Sequence, residues 1–138
     1  REVRVEIAID PAVPLLWVHG ALLEQALVNL LDNAIRFSPA GGRILVRAGL
    51  AAEGVELEVH DQGPGIPPAE REKIFDMFYT VRQGDRGQGQ GTGLGLAICR
   101  GMIGAHGGSV TAHEGQDGVG TCMRIGLPLT QPPLTVPA

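Results

Sequence analysis

Lysine is almost missing from this 138-residue chain: Lys73 stands alone beside ten arginines. Acidic residues outnumber basic ones, 15 to 11, giving a formal net charge of -4. The broad positive field that a nucleic-acid backbone requires is lacking, so no nucleic-acid partner is expected. Cysteine is scarce too. Cys99 and Cys122 form no C-x-x-C pair and no Cys/His cluster with zinc spacing along the chain, and their apolar neighbours predict two buried free thiols. No apolar run approaches the roughly 18 residues that span a bilayer, so no direct membrane contact is expected. There is no signal-peptide pattern and no initiator Met; the chain opens in strand-like alternation, as a piece of a longer protein would. Two phosphate-loop signatures are also absent. No G-x-G-x-x-G occurs, which argues against a Rossmann fold, and no G-x-x-x-x-G-K-[ST] occurs either.

What the chain has in excess is glycine, 21 residues, about twice the average share. Six fall between Gly84 and Gly95 and seven between Gly101 and Gly120. Glycine concentrated in an otherwise apolar sequence (43% hydrophobic) suggests backbone that must approach something closely. The length suits one domain with a real core.

Val3, Val5, Ile7 and Ile9 alternate with polar or small residues, predicting a strand with one buried face. Leu15 to Val18 reads as a second short strand. From Gly20 to Phe37 the period turns helical, with Leu23, Leu27, Leu30, Leu31 and Ala34 on one side. Strands are predicted at Arg43–Gly49, Gly54–Asp61, Ser109–Glu114 and Thr121–Leu127, the last two joined by a turn at Asp117-Gly118. Helices are predicted at Ala69–Phe78 and Leu94–His106, with Gly107-Gly108 as C-cap. Residues Thr80–Thr92 read as a mobile loop. Thr130 onward carries three prolines in nine residues and reads as a disordered tail, so the expected division is a domain over 1–129 and a tail over 130–138. Hairpin-linked strands with helices in runs argue an α+β two-layer α/β sandwich, its mixed, mostly antiparallel sheet packed on about three helices.

Three polar elements stand out. Asn29, Asn33 and Arg36 share one face of the first helix, opposite the leucines. Asparagine is a poor helix former, so two of them one turn apart are a small stability cost. A single Asn would be a solvated face. The pair with Arg36 reads better as a ligand stripe, with amide oxygens suited to Mg²⁺ and a guanidinium suited to phosphate. Asp61 ends a strand and enters Gln62-Gly63-Pro64-Gly65. Alone it would pass for a turn former, but a carboxylate there also accepts from an exocyclic amine such as adenine's. The run Gly87 to Gly95 leads into a helix, whose N-terminal N–H groups make an anion site; a flexible linker is its plainer reading.

These elements, in this order and with Phe75-Asp76-Met77-Phe78 between the last two, resemble the N, G1, F and G2 boxes of sensor histidine kinases. Those kinases belong to the superfamily shared with gyrase, Hsp90 and MutL. The resemblance covers about residues 3–129. The stretch Gly93–Arg100 with Ala105–Gly108 is most similar to potassium-responsive KdpD-type kinases. The resemblance implies the Bergerat ATP-binding fold, with ATP and Mg²⁺ as ligands. It places Asn29, Asn33, Arg36, Phe37, Asp61, Gly63, Gly65, Ile66, Tyr79, Arg82, Gly91, Thr92, Gly93, Leu94, Gly95 and Leu96 at the nucleotide. Asn33 would hold Mg²⁺ on the phosphates, and Asn29, Asn33 and Arg36 would serve the transfer. Asp61 would meet the adenine amine, Ile66 would lie against the base, Tyr79–Thr92 would form a lid, and Phe75 and Phe78 would anchor it. ATP-hydrolysing relatives carry Glu where this chain has Asn29. An amide takes no proton at neutral pH, so transfer to a protein nucleophile is implied rather than hydrolysis.

Arg36 replaces the family's usual Lys, Phe37 its Tyr, Thr80 a lid Arg (leaving Arg82 or Arg86), and His19 an Asp near the helix start. None of His19, His60, His106 and His113 lies in a phosphoacceptor context. The implied partners are therefore a histidine-bearing dimerisation domain of the same parent and a response-regulator receiver. The implied location is cytoplasmic, with the parent membrane-anchored. Two other readings remain open on sequence alone: a nucleotide sensor without transfer, and a serine kinase of the anti-sigma-factor type.

Overall fold

The computed structural model describes residues 4–9, 20–51, 54–76 and 95–128. Five strands, β1 (Arg4–Ile9), β2 (Arg43–Ala51), β3 (Gly54–His60), β4 (Ser109–Glu114) and β5 (Thr121–Pro128), form one sheet in the order β1-β2-β3-β5-β4. β1 runs parallel to β2 and every other pair is antiparallel. Helices α1 (Gly20–Phe37) and α2 (Gly95–Ala105) pack on one face of this sheet. The expected α+β two-layer sandwich is the observed architecture. The strand expected at Leu15–Val18, the loop over 80–92 and the tail over 130–138 lie outside the described residues.

Alternation builds the core. Val55 and Val59 on β3, Met123, Ile125 and Leu127 on β5, and Val110 and Ala112 on β4 face the helices and are buried. All of these but Val55 cluster with Ala26, Leu30 and Ala34 of α1 and Cys99 and Ile103 of α2, with Leu27 and Leu31 packed alongside. Small Ala26 and Ala34 flank Leu30 and complete the buried stripe of α1. The opposite face of β3 and β5 carries a polar ladder. Glu58 pairs in register with Arg124, and His60 with Cys122. Burial alone would raise the Glu58 carboxyl, but hydrogen bonds from His60 and Arg124 outweigh it and hold the group below its usual value. Both thiols are free and buried; burial pushes Cys99 up to about 12 and Cys122 up to about 11.

Helix ends follow their local chemistry. At the end of α1 the Ala34 carbonyl accepts twice from Ser38, from its backbone N–H at 3.0 Å and from its hydroxyl at 2.8 Å, closing the last turn before Pro39. At the end of α2 the Gly108 N–H bonds back to the Ile103 carbonyl while Gly107 sits at φ +76°, the C-cap expected of that glycine pair.

Two expectations need correction. No continuous helix covers 69–78. Two 3-10 turns, Pro68–Glu70 and Lys73–Phe75, take its place, because Pro67-Pro68 opens the segment and a helix this short is costly to nucleate. The apolar side of β1 is not buried either: Val5 is 44% and Ile7 68% exposed. β1 is an edge strand bonded only to β2, and among the described residues nothing covers that margin.

Replacing Ile103, which is fully buried between helix and sheet, with Ala should cost about 2–5 kcal/mol in urea unfolding. Val28→Ala, on the open side of α1, should stay within about 0.5 kcal/mol of the parent.

Candidate functional site

Asp61 follows the last residue of β3 and is 6% exposed. Its Oδ1 accepts from the Gly63 N–H at 2.9 Å and from the Thr121 N–H at 3.2 Å. Oδ2 has no hydrogen bond to any described residue. The Asp61 N–H in turn donates to the Thr121 carbonyl at 2.9 Å. Burial raises the Asp61 carboxyl above its ordinary value, and the two backbone bonds and nearby His60 offset part of that rise. A carboxylate is thus anchored through one oxygen and left able to accept at the other.

Glycines make this anchoring sterically possible. A Cβ at Gly63 would lie 2.6 Å from the Phe37 carbonyl, so the loop after Asp61 seats directly on the end of α1. A Cβ on Gly65, which sits at φ +83°, would come within 3.2 Å of the Gly120 carbonyl oxygen. Gly120, at φ +73°, lies backbone to backbone against Asp61, where any Cβ would run into the Asp61 carbonyl. The demand for glycine at 63, 65 and 120 therefore comes first from the protein's own backbone. Ile66 packs at the margin of the core, and its carbonyl accepts from Arg71 Nε at 3.1 Å. Gln62 accepts from the Arg43 N–H at 2.9 Å, tying the loop to the start of β2.

The α1 stripe divides into committed and free groups. Asn29 takes a bond from Gln25 on its carbonyl and donates its amide to the Gly95 carbonyl at 3.2 Å. The first residue of α2 is thereby fixed beside the middle of α1. Arg36 donates to Asp32 at 2.7 Å, an i,i+4 pair in the last turns. Asn33, between them, makes no side-chain hydrogen bond with another described residue and is half-buried. The free amide thus lies between the Gly63 contact at one end of α1 and the Gly95 contact at its middle. Of the other expected site residues, Gly63 seats on Phe37, Gly95 accepts from Asn29, and Ile66 and Leu96 pack against the core. Tyr79, Phe78, Thr80, Arg82, Arg86, Gly91, Thr92, Gly93, Leu94 and His19 lie outside the described residues.

The sequence matches, over residues 19–131, the family model described as histidine kinase-, DNA gyrase B-, and HSP90-like ATPase. The chain belongs to this ATPase family. Sensor histidine kinases are among its most similar relatives. Sensor protein KdpD of Escherichia coli K12 is 38% identical over 124 residues, which is 90% of this chain and 14% of KdpD. The solved structure of the mycobacterial sensor histidine kinase MprB superposes with a TM-score of 0.76 at 35% identity, covering 91% of this chain and 81% of that one. Full-length ShkA, solved in complex with AMPPNP, gives a TM-score of 0.74 at 32% identity over 94% of this chain and 26% of ShkA. The chain spans 14% of KdpD and 32% of the sensory kinase SasA of Thermosynechococcus vestitus. Among the described residues of this ATPase-family domain, no helix is long and apolar enough to cross a membrane.

Two structural residues escaped the sequence reading. Thr121 donates its N–H to Asp61 from sixty residues away, and Gly120, just beyond the expected turn at Asp117-Gly118, shapes the same contact. Arg100 is the other kind of surprise. It forks onto Glu72 at 3.1 and 3.0 Å, donates to the Val110 carbonyl at 3.1 Å and lies 4.1 Å over the Phe75 ring. The anchoring expected of Phe75 is thus packing into the core plus a cation on its face.

Because burial raises Asp61, its charge costs folding free energy at neutral pH, and that cost vanishes once acid protonates the group. Asp61→Asn should therefore be at least as stable as the parent at pH 7. Its advantage should shrink as pH falls from the raised folded-state value toward the ordinary Asp value of 3.8 and change no further below it, as read by urea melts across pH. Gly120→Ala should cost more than about 1 kcal/mol in the same assay, from positive φ and the Asp61 contact together.

Proposed function

We propose that the chain binds Mg-ATP and donates the γ-phosphoryl group to a histidine on a separate dimerisation domain, for onward transfer to a response-regulator aspartate. The observation that carries this reading is Asp61, a buried carboxylate held by two backbone N–H groups with one oxygen left to accept. Adenine presents an amine donor to such an oxygen, whereas guanine presents a carbonyl that a carboxylate repels. Discrimination of this kind costs the wrong base an unpaired buried polar group.

The remaining roles follow from chemistry. Asn33 offers a neutral oxygen for Mg²⁺ on the phosphates, and its amide makes no hydrogen bond to another described residue. Arg36 would exchange Asp32 for phosphate. α2 begins at Gly95, where its N-terminal dipole favours an anion. Gly91, Thr92, Gly93 and Leu94, with Tyr79 and Arg82, would close over the phosphates. Leu96 and Phe37 would border the pocket. Asn29 is already bound to Gly95 and bears no basic oxygen, so no side chain at that position activates water. Holding ATP in place without hydrolysing it leaves positioning and charge neutralisation as the domain's contribution to transfer. The chain would act on the cytoplasmic side of a membrane-anchored parent, as residues 1–129 of a modular kinase.

Calorimetric titration with a non-hydrolysable ATP analogue should show binding that strengthens with Mg²⁺. Asn33→Ala should abolish the Mg²⁺ increment and leave the fold intact, while Asp61→Asn should erase the preference for ATP over GTP analogues. With γ-labelled ATP the chain alone should take no stable label. A matching histidine domain added in trans should gain an acid-labile, alkali-stable phosphate. Unchanged affinity in both variants would reject these roles, and binding without transfer would favour a nucleotide sensor.

A further inference from the structure

On the sheet face away from the helices, three donors from two strands converge. His60 Nε2 lies 2.9 Å from Glu58 Oε1 and 3.7 Å from Cys122 Sγ, and the three donor atoms all lie within 4.8 Å of one another. We propose that Glu58, His60 and Cys122 form a binding site for a borderline-soft divalent cation of the zinc type. Its function is separate from the nucleotide site and does not rest on the reading given above.

The geometry suits that ion. Around a tetrahedral Zn²⁺ with ordinary bond lengths, an N and an O ligand stand about 3.3 Å apart and an N and an S ligand about 3.6 Å apart. The observed 2.9 and 3.7 Å edges need only small side-chain shifts to open around a metal. Arg124 Nε donates to Glu58 Oε2 at 3.0 Å, so the carboxylate is oriented through the oxygen the metal would not use, as outer partners of metal ligands do. His60 Nδ1 is buried with no hydrogen-bond partner among the described residues, so the polar contacts of the ring all lie on its Nε2 side, toward Glu58 and Cys122. His113, in register with Cys122 on β4, instead engages the Thr111 hydroxyl at 2.7 Å, leaving the fourth position to water.

Binding forms a metal–sulfur bond and releases the Cys122 thiol proton to solvent. His60 binds through Nε2 as the neutral imidazole with its proton on Nδ1, and Glu58 binds as the carboxylate. The two ligand charges then balance the dication. Such an ion would tie β3 to β5 one residue before Asp61 and one residue after Thr121, directly behind the carboxylate brace.

The test is Co²⁺ titration of the tag-free chain followed by absorbance. The expected result is one Co²⁺ per chain, strong tetrahedral d–d bands, a thiolate-to-cobalt charge-transfer band, and displacement by Zn²⁺. Cys122→Ser should remove the charge-transfer band, Cys99→Ser should keep it, and Glu58→Gln should weaken binding at least about tenfold. X-ray absorption at the zinc edge of the wild-type chain should show one sulfur scatterer, a readout that needs no variant to fold. A pale six-coordinate spectrum, no sulfur shell, or a charge-transfer band that survives Cys122→Ser overturns the proposal.

Discussion

The buried Asp61 carboxylate is the constraint around which the helix-facing side of the molecule is arranged. A carboxylate taken from water must be hydrogen-bonded, or it is driven to protonate. Here both anchoring donors are backbone N–H groups. One comes from two residues on, the other from the start of β5, and only the β3–β5 register that sets His60 against Cys122 delivers the second. That register brings the 115–120 turn against the Asp61 loop, and the resulting backbone contact admits only glycine at 120. The same loop, emerging past Gly63, meets the Phe37 carbonyl and so fixes where α1 must end. A single buried charge thus sets strand register, turn composition and helix position together.

The second helix is located by different means. Asn29 reaches across to the Gly95 carbonyl, and Arg100 gathers the 72–75 turn, α2 and the edge strand β4 into one contact. Glu72 is 76% exposed at its side chain, so that ion pair contributes little free energy. Its value is geometric, because a planar fork on a carboxylate, stacked on an aromatic ring, admits few arrangements. Asn29 is a related case. A carboxylate there could not donate to the Gly95 carbonyl and would repel it, so the residue type that withholds a general base also secures the start of α2.

Strong periodicity was legible in the sequence. The limits of α1 follow from its leucine spacing and Ser38-Pro39, and the alternation of Val55, Leu57 and Val59 against Glu56, Glu58 and His60 gives both faces of β3. Asp61 stood out for its position at a strand end before glycines. What stayed hidden was long-range. Thr121 carries no local sign that its N–H serves Asp61, since the bond spans sixty residues and uses only backbone. Val5 and Ile7 alternate as well as any core strand, yet period 2 reveals which side chains share a face and not whether a second layer reaches that face. The failure at 69–78 was one of length: ten residues opened by two prolines carry enough apolar pattern to suggest a helix and too few turns to sustain one.

Cys122 and His60 show how one pattern dictates two surfaces. The alternation that sends Val59 and Met123 into the core sends their neighbours out through the opposite face, side by side because the strands are in register. Spacing along the chain cannot reveal this, since the two residues are 62 positions apart and belong to no linear metal motif. A one-residue slip between β3 and β5 would separate His60 from Cys122 and, in the same motion, carry the Thr121 N–H away from Asp61. The polar ladder on one face and the carboxylate brace at the strand ends are therefore not independent features. Each is a consequence of the same pairing, and any force that tightens the outer contact acts on the geometry that holds Asp61.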